Sequence, residues 1–430
     1  GNAYHVANTN WHSLHNPVTE EMITVGTGIP DELADDDIYY NRAVGSTSTR
    51  GLRDFHNLYV KKRLIVGVSR PGNTLIDYAV GKGGDMPKWI AAKLSFVFGV
   101  DLSKDNIENR LDGACARYLN YRTKFKEMPF ALYAYGNGSI NFRDGDGLFG
   151  ETGKRVARAV FGEGVRDEKE LGKGVARQFG KGKSGFNVSS VQFAVHYMFR
   201  DAATVHGFLR NVSECTKAGG YFIGTTYDGQ QIFNMLRGKK DNESVSIEER
   251  GAKLWEITKR YDRDDFEANS SCVGYAIDVY QESINKTFRE FLVNFDYLTR
   301  MLEDYGFVPA TRDEARKMGL GGAIGSFREL YGQMEQDAKR NRIASDEYGT
   351  ALKMTPAEKR ISFLNKYFVY KKVRDVNAEK VSQTLQNTLQ SEVHEEARAT
   401  ADAVATVSEV QEVAAPVVRR TRRKLVLKGT

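Results

Sequence analysis

From Thr74 onward, short apolar runs alternate with segments of helical period, and few folds accept that alternation. "TLIDYAV" precedes "MPKWIAAKL", and "SFVFGVD" precedes "DNIENRLDGACARYL"; "PFALYAYG" stands next. "FNVSSVQFAV" leads to a helix through Leu209 to Lys217, and "GYFIGTT" to "GQQIFNML". Short buried strands separated by helices predict a doubly wound α/β domain with a largely parallel sheet. Ligands of such sheets lie at the carboxyl ends of the strands, so the chemistry is expected there. "KLWEITKRY" and "CVGYAIDVYQ", joined by a charged linker, read as an antiparallel hairpin inserted after the fifth strand. Phe288, Phe291, Leu292, Phe295, Leu298 and Leu302 recur at helical spacing and predict one apolar helix face. "ISFLNKYFVYKKV" predicts a closing antiparallel strand.

The expected divisions are a lead segment over 1–50, a folded domain over 51–373 and a tail over 374–430. Within the domain, the Gly/Lys/Arg-rich stretch from Asp144 to Gly185 predicts a mobile surface loop with one short helix. The tail is Ala/Glu/Val-rich and ends in "RRTRRKLVLKGT", which predicts a mostly disordered or weakly helical segment with a basic end. The chain starts without Met in what reads as mid-protein, so a piece of a larger polypeptide is expected. No apolar stretch reaches the roughly 18 residues of a membrane span, and "GNAYHVANTNWHSLH" lacks the basic and apolar parts of a secretion signal; neither export nor membrane insertion is expected. Cys115, Cys215 and Cys272 stand far apart and the seven histidines form no HExxH, so neither a disulfide framework nor a zinc site is expected. The net charge of +6 allows a polyanionic partner without requiring one.

The stretch "LIDYAVGKGGDMPKWI" carries an apolar run into a glycine-rich loop. Such a loop suits a dinucleotide or a methyltransferase fold alike, but details argue against a phosphate cradle. The GxxxxGK[ST] pattern is absent; Asp77 sits in the strand, where it repels pyrophosphate yet accepts from a cationic or amino group. Asp85 opens the next helix, a poor place for an acid if phosphate is to bind at the helix start. Asp101 ends the second strand about 20 residues after the loop, where an acid accepts from a ribose diol. Bare backbone with acids for an amino group and a ribose fits S-adenosylmethionine better than NAD. The plainer alternative makes Asp85 a helix N-cap and Asp101 a turn residue.

"FHNLYVKK", "LIDYAVGKGGDMPKW", "FGVDLSKDNI" and "SSVQFAVHYMF" together resemble the mRNA cap (guanine-N7) methyltransferase family. With "WHSLHNPVTEEMI" and "FLNKYFVYKK" the likeness covers Trp11 to Lys372 and is greatest to the methyltransferase portion of capping enzymes of large nucleocytoplasmic DNA viruses. The resemblance implies a Rossmann-like class I S-adenosylmethionine-dependent fold, with a mainly parallel seven-stranded sheet and an antiparallel final strand. It implies in-line methyl transfer to nitrogen 7 of the GpppN cap, working by proximity and electrostatics, without metal or general base.

On the donor side the resemblance places Asn57 and Lys61 over the cofactor, with Lys61 near its carboxylate. Asp77, Ala79, Gly81 and Asp85 meet the amino acid end, Asp101 the ribose, Asn137 the adenine, and Gln192 closes the site. The family's usual Asp-Leu-Gly-Cys-Gly is here Asp77-Tyr78-Ala79-Val80-Gly81. On the cap side, Lys82 and Arg117 neutralise the triphosphate bridge, His196 and Tyr197 line the guanine pocket, and Glu290 accepts from guanine. Without the family match, Glu290 reads as a solvated helix residue, Phe193, Met198 and Phe199 as core, and His56 as structural. The implied partners are capped RNA, upstream triphosphatase and guanylyltransferase domains in the same polypeptide, and an activating subunit; the implied place is the cytoplasm, a viral factory or the virion. The basic insertion and the Arg-rich end read equally as RNA-backbone contacts or as solvated segments. A non-catalytic RNA-binding or stimulatory subunit of a capping complex, and a methyltransferase for a small molecule, are the competing readings.

Overall fold

The computed structural model describes residues 49–340 and 347–387. The lead segment before Thr49 and the basic end lie outside the described residues. Five parallel strands form the frame: β1 (Thr74–Asp77), β2 (Phe96–Asp101), β3 (Phe130–Tyr135), β4 (Phe186–Gln192) and β5 (Thr216–Tyr227). Their spatial order is β3-β2-β1-β4-β5. The chain runs outward through β2 and β3, then returns to lay β4 on the other side of β1, and this reversal opens a crevice at the carboxyl ends of β1 and β4. β2 is buried at all six positions, as a strand covered on both faces by helices must be.

After β5 the chain builds a separate antiparallel sheet from β6 (Ser244–Glu249), β7 (Ala252–Arg260), β8 (Ala276–Gln281) and β9 (Lys286–Phe291), in that order. The expected hairpin is its middle pair. The apolar spacing from Phe288 onward also divides differently. Phe288 lies on β9, and the helix Phe295–Asp304 starts after it, where Asn294 Oδ1 accepts from the backbone N–H of Asp296 and Tyr297, both at 3.1 Å. The apolar spacing alone does not fix the boundary; the cap decides where the helix begins. Three strands complete the main sheet: β10 (Phe307–Pro309), β11 (Ile324–Ser326) and β12 (Asn365–Lys372). β12 runs antiparallel to β5 as expected, and β10 and β11 both pair antiparallel with β12. The sheet therefore has eight strands, one more than expected, because the three-residue β11 carries too little pattern to read.

The glycine-rich stretch expected to be a loop holds two helices, Gly150–Phe161 and Glu168–Ala176. One of its glycines ends a helix: Gly162 adopts φ +74°, the left-handed conformation that closes the first one. Phe161 is fully buried, edge-on to Phe98 at 6.2 Å and to Phe186 at 6.3 Å, with the Arg143 guanidinium 4.9 Å above it. The fold also runs past the expected boundary at 373: Val376, Val381 and Leu385 pack against the main core and Ala378 is buried within it. Ahead of β1, helical chain runs from Arg50 to Val68, and its middle, Phe55–Lys61, is π-helical. Such widened turns concentrate at functional sites, and this one carries Asn57 and Lys61. No helix among the described residues is long and apolar enough to cross a membrane.

Phe161→Ala is expected to destabilise the fold by about 3 kcal/mol in denaturant unfolding, the cost of emptying a packed aromatic site. An unchanged midpoint would return this stretch to the status of a loop.

Candidate active site

β1 and β2 lie side by side and end in carboxylates, Asp77 and Asp101. The glycine loop between them folds back so that Gly81 N–H donates to Asp101 Oδ2 at 2.7 Å; Ser103 N–H and Asn106 Nδ2 donate to Oδ1, both at 3.0 Å. Gly81 and Gly83 hold φ of +52° and +70°, conformations that side-chain-bearing residues rarely adopt. Burial pushes the Asp101 carboxyl up from its ordinary range, and these three donors work against that push. Asp77 is 1% exposed and accepts from Ala79 N–H at 3.2 Å. Burial and the nearby Asp85 charge raise its pKa to about 8, so without a ligand it is mostly protonated at neutral pH. Asp85 occupies the N-cap of the helix Met86–Ala91 but makes no capping bond. It faces Lys88 Nζ at 2.8 Å and Lys61 Nζ at 3.5 Å, and those two cations overcome its burial and hold it near 2. The plain N-cap reading therefore does not account for Asp85.

Lys61 reaches Asp85 from the π-helical turn and stands 5.7 Å from the ring of Phe193. Phe193 follows β4 directly with φ +55°, held there by N–H donation to Thr225 O and Oγ1, both at 3.0 Å, while His56 stacks on its ring at 5.0 Å. Phe193 is half-buried and packs against the core, and its left-handed backbone is an outlier of the kind that clusters at functional sites. Phe199, by contrast, is core as read, and Met198 packs beside it against the same cluster. Gln192 ends β4 with its amide set by Ser190 and Thr225, both at 3.2 Å. Asn57 Nδ2 donates to Arg53 O at 3.0 Å along its own helix. Asn137 accepts from Ser139 N–H at 2.9 Å and Ser139 Oγ at 2.8 Å, which leaves its amide NH₂ as the end able to donate.

Across the crevice, His196 and Tyr197 form the short helix Val195–Met198, their rings 4.2 Å apart. Glu290 comes from β9 of the second sheet and is 4% exposed, so it is neither a helix residue nor solvated. Its Oε2 stands 3.5 Å from His196 Nε2, and neither atom has a hydrogen-bond partner. His196 Nδ1 lies 3.3 Å from Thr226 Oγ1. Burial drives both groups toward neutrality, lowering the imidazole to about 3 and raising the carboxyl to about 8. Lys82 is buried, its ammonium between Asp112 Oδ1 at 2.9 Å and Asp105 Oδ2 at 3.2 Å; Arg117 is half-buried on the helix Ala114–Lys124. Sequence reading missed Lys88, Phe193, Asp105 and Asp112. The i, i+3 spacing of Asp85 and Lys88 was a signal for the first; nothing local signals the rest.

A family model described as "mRNA (guanine-N(7))-methyltransferase domain" matches residues 165–405, more than half of the chain. The chain belongs to this family. Over 409 residues it is 25% identical to a probable mRNA-capping enzyme of Acanthamoeba polyphaga mimivirus, covering 88% of this chain and 33% of that one. It is 27% identical over 260 residues to an mRNA cap guanine-N(7) methyltransferase of Saccharomyces cerevisiae, covering 59% of this chain and 50% of the relative. The chain thus spans a third to a half of the length of these curated relatives. Among solved structures, the CcbJ methyltransferase from Streptomyces caelestis aligns at a TM-score of 0.40 with 13% identity, over 79% of this chain and 96% of that one.

The cofactor that goes with the family is S-adenosyl-L-methionine, and the residues present suit it. Asp77 is a buried carboxyl with too little positive charge around it to ionise, which is the deficit a cationic ligand makes good.

The Glu290 shift has a signed consequence for stability. At pH well below 4.5 both folded and unfolded chains keep the proton; above that the unfolded chain ionises while the folded one does not, so stability is lost progressively up to about pH 8. Glu290→Gln is expected to melt at a higher temperature than the parent at pH 8, with the gap closing by pH 4. A constant gap across that range would mean that Glu290 is not buried as the acid.

Proposed function

We propose that the chain transfers the methyl group of S-adenosyl-L-methionine to nitrogen 7 of the guanine in a GpppN RNA cap. The observation that carries this reading is the buried pair of Glu290 and His196, 3.5 Å apart with their facing atoms unpaired, next to the donor crevice. Guanine presents two donors on one edge, N1–H and the exocyclic amine, and a single carboxylate can accept both. Unpaired buried polar atoms are costly unless a ligand meets them. Bound S-adenosyl-L-methionine supplies a methyl group on a positively charged sulfur.

Asp77 and Asp85 with Lys61 then receive the charged ends of the amino acid portion. Asp101 accepts from the ribose, and Asn137 donates toward the adenine. Leu102, 62% exposed immediately after Asp101, and Phe149, whose ring lies 4.6 Å from Tyr135, offer apolar surface to the same base. Gln192 and Phe193 close the crevice at the end of β4. Tyr197 gives an aromatic face to guanine, and Lys82 and Arg117 supply positive charge to the triphosphate bridge. For that, Lys82 exchanges Asp105 and Asp112 for phosphate oxygens. Nitrogen 7 carries no proton, so orientation and field, not a base, are what the protein has to provide.

The length of the mimivirus relative supports a place for this chain within a longer capping polypeptide that acts on RNA in the cytoplasm; an activating subunit is a further expectation. The residues that decay would strike first, Asp77, Gly81, Asp85 and Asp101, are all present and lie near one another, which favours catalysis over a decayed stimulatory subunit.

The direct test is incubation with methyl-labelled S-adenosyl-L-methionine and either GpppG-capped or triphosphate-ended RNA, followed by digestion to nucleosides. Label in 7-methylguanosine from capped RNA alone supports the proposal; label elsewhere overturns it. Glu290→Ala is expected to lower transfer by at least about a hundredfold while changing cofactor affinity less than about twofold, and Asp101→Ala to weaken cofactor binding by about tenfold or more. Equal loss of cofactor binding in both variants would dissolve the division into donor and acceptor halves.

A further inference from the structure

The second sheet holds a cavity of about 280 Å³ lined by Phe233, Leu236, Arg237, Lys259, Tyr261, Arg263 and Asp264. Its floor is aromatic: Phe233 stacks on Tyr261 at 6.0 Å and on Phe266 at 5.4 Å. Three cations border it. Arg237 lies 6.0 Å from the Phe233 ring, Lys259 Nζ 4.8 Å from the Tyr261 ring, and Arg263 5.8 Å from the Tyr275 ring. Lys259 is buried and donates to Lys239 O at 2.9 Å; Arg263 Nη1 donates to Ser271 O at 2.9 Å. Tyr261 is 8% exposed, yet its hydroxyl has no hydrogen-bond partner. An unpaired hydroxyl on a cavity wall beside three cations is waiting for an acceptor.

Register fixes where this cavity stands. Lys259 on β7 is directly opposite Ile277 on β8, which is directly opposite Glu290 on β9. Directly opposed residues share a face, so Lys259 and Glu290 project from the same side of the sheet, two strand spacings or roughly 10 Å apart. That is a short step along a single strand.

We propose that this cavity is a second nucleic-acid subsite, which takes a phosphate and sugar of the transcript just downstream of the cap; this rests on the reading of the chain as acting on capped RNA. Arg237, Lys259 and Arg263 meet the phosphate, the Tyr261 hydroxyl donates to it, and Asp264 accepts from a ribose hydroxyl. The subsite gives the enzyme a preference for capped RNA over a free cap dinucleotide.

The test compares the parent with the Arg237→Ala/Arg263→Ala double variant, both residues being exposed. On a capped RNA of about ten nucleotides the variant is expected to show a KM about tenfold higher and a salt dependence shallower by about one to two phosphate contacts. On GpppG its KM and kcat stay those of the parent. An unchanged KM for RNA, or an equal rise for both substrates, overturns the proposal. Fluorescence anisotropy with labelled RNA reads the same question without turnover: if neither protein methylates anything, loss of RNA binding in the variant still upholds the subsite while the proposed reaction fails. Tyr261→Phe is expected to weaken RNA binding two- to fivefold with no fall in melting temperature; a merely structural hydroxyl would move the melting temperature and leave binding alone. Competition by inorganic tripolyphosphate that is as effective as that by RNA in the parent and is lost in the double variant would instead assign the cavity to free polyphosphate and overturn the proposal.

Discussion

The bond from Gly81 N–H to Asp101 Oδ2, 2.7 Å long, joins the loop after β1 to the end of β2, and the donor crevice takes its shape from that tie. A buried aspartate must be given donors, and here all three are local: Gly81, Ser103 and Asn106. Two come from the chain just after β2 and one from the loop after β1, so satisfying one carboxylate fixes two loops at once. Gly81 can offer its N–H in that direction because it holds φ +52°. A side chain at that position would strain the turn that brings the loop down.

Around that tie, acids of the same kind are held in different states by their surroundings. Asp85 is ionised because Lys61 and Lys88 flank it; Asp77, deeper and with less positive charge at hand, keeps its proton. Glu290 keeps its proton as well, opposite an imidazole that burial has emptied of charge. The crevice therefore carries less negative charge than its carboxylates suggest. Lys82 shows the reverse arrangement, a cation already matched by Asp105 and Asp112 before any phosphate arrives.

The parallel frame and the placing of the crevice carboxylates were legible because they are written locally: an apolar run, a glycine loop, an acid at the next strand end. Asp77, Gly81, Asp85 and Asp101 are found where the alternation places them. The second sheet was half legible, since β7 and β8 carry clear strand patterns while β9 shares its phenylalanine spacing with the helix that follows. The two helices between β3 and β4 were hidden by their glycines, which suggest mobility until one sees that Gly162 closes a helix whose last residue, Phe161, is buried. Phe193 was unreadable for a different reason. Its positive φ is held by Thr225 on a neighbouring strand, and an angle of that kind leaves no mark in a string that reads as apolar.

The strand-end crevice and the Glu290–His196 pair are built on different principles. Asp77, Asp101 and Gln192 sit at adjoining strand ends of one sheet, so their spacing is fixed by backbone pairing. Glu290 comes from the second sheet and His196 from the short helix after β4, so their 3.5 Å spacing depends on how the second sheet seats against the main one. The strand-end carboxylates are thus rigid by construction, while the spacing of Glu290 and His196 shifts with any movement of the second sheet against the first.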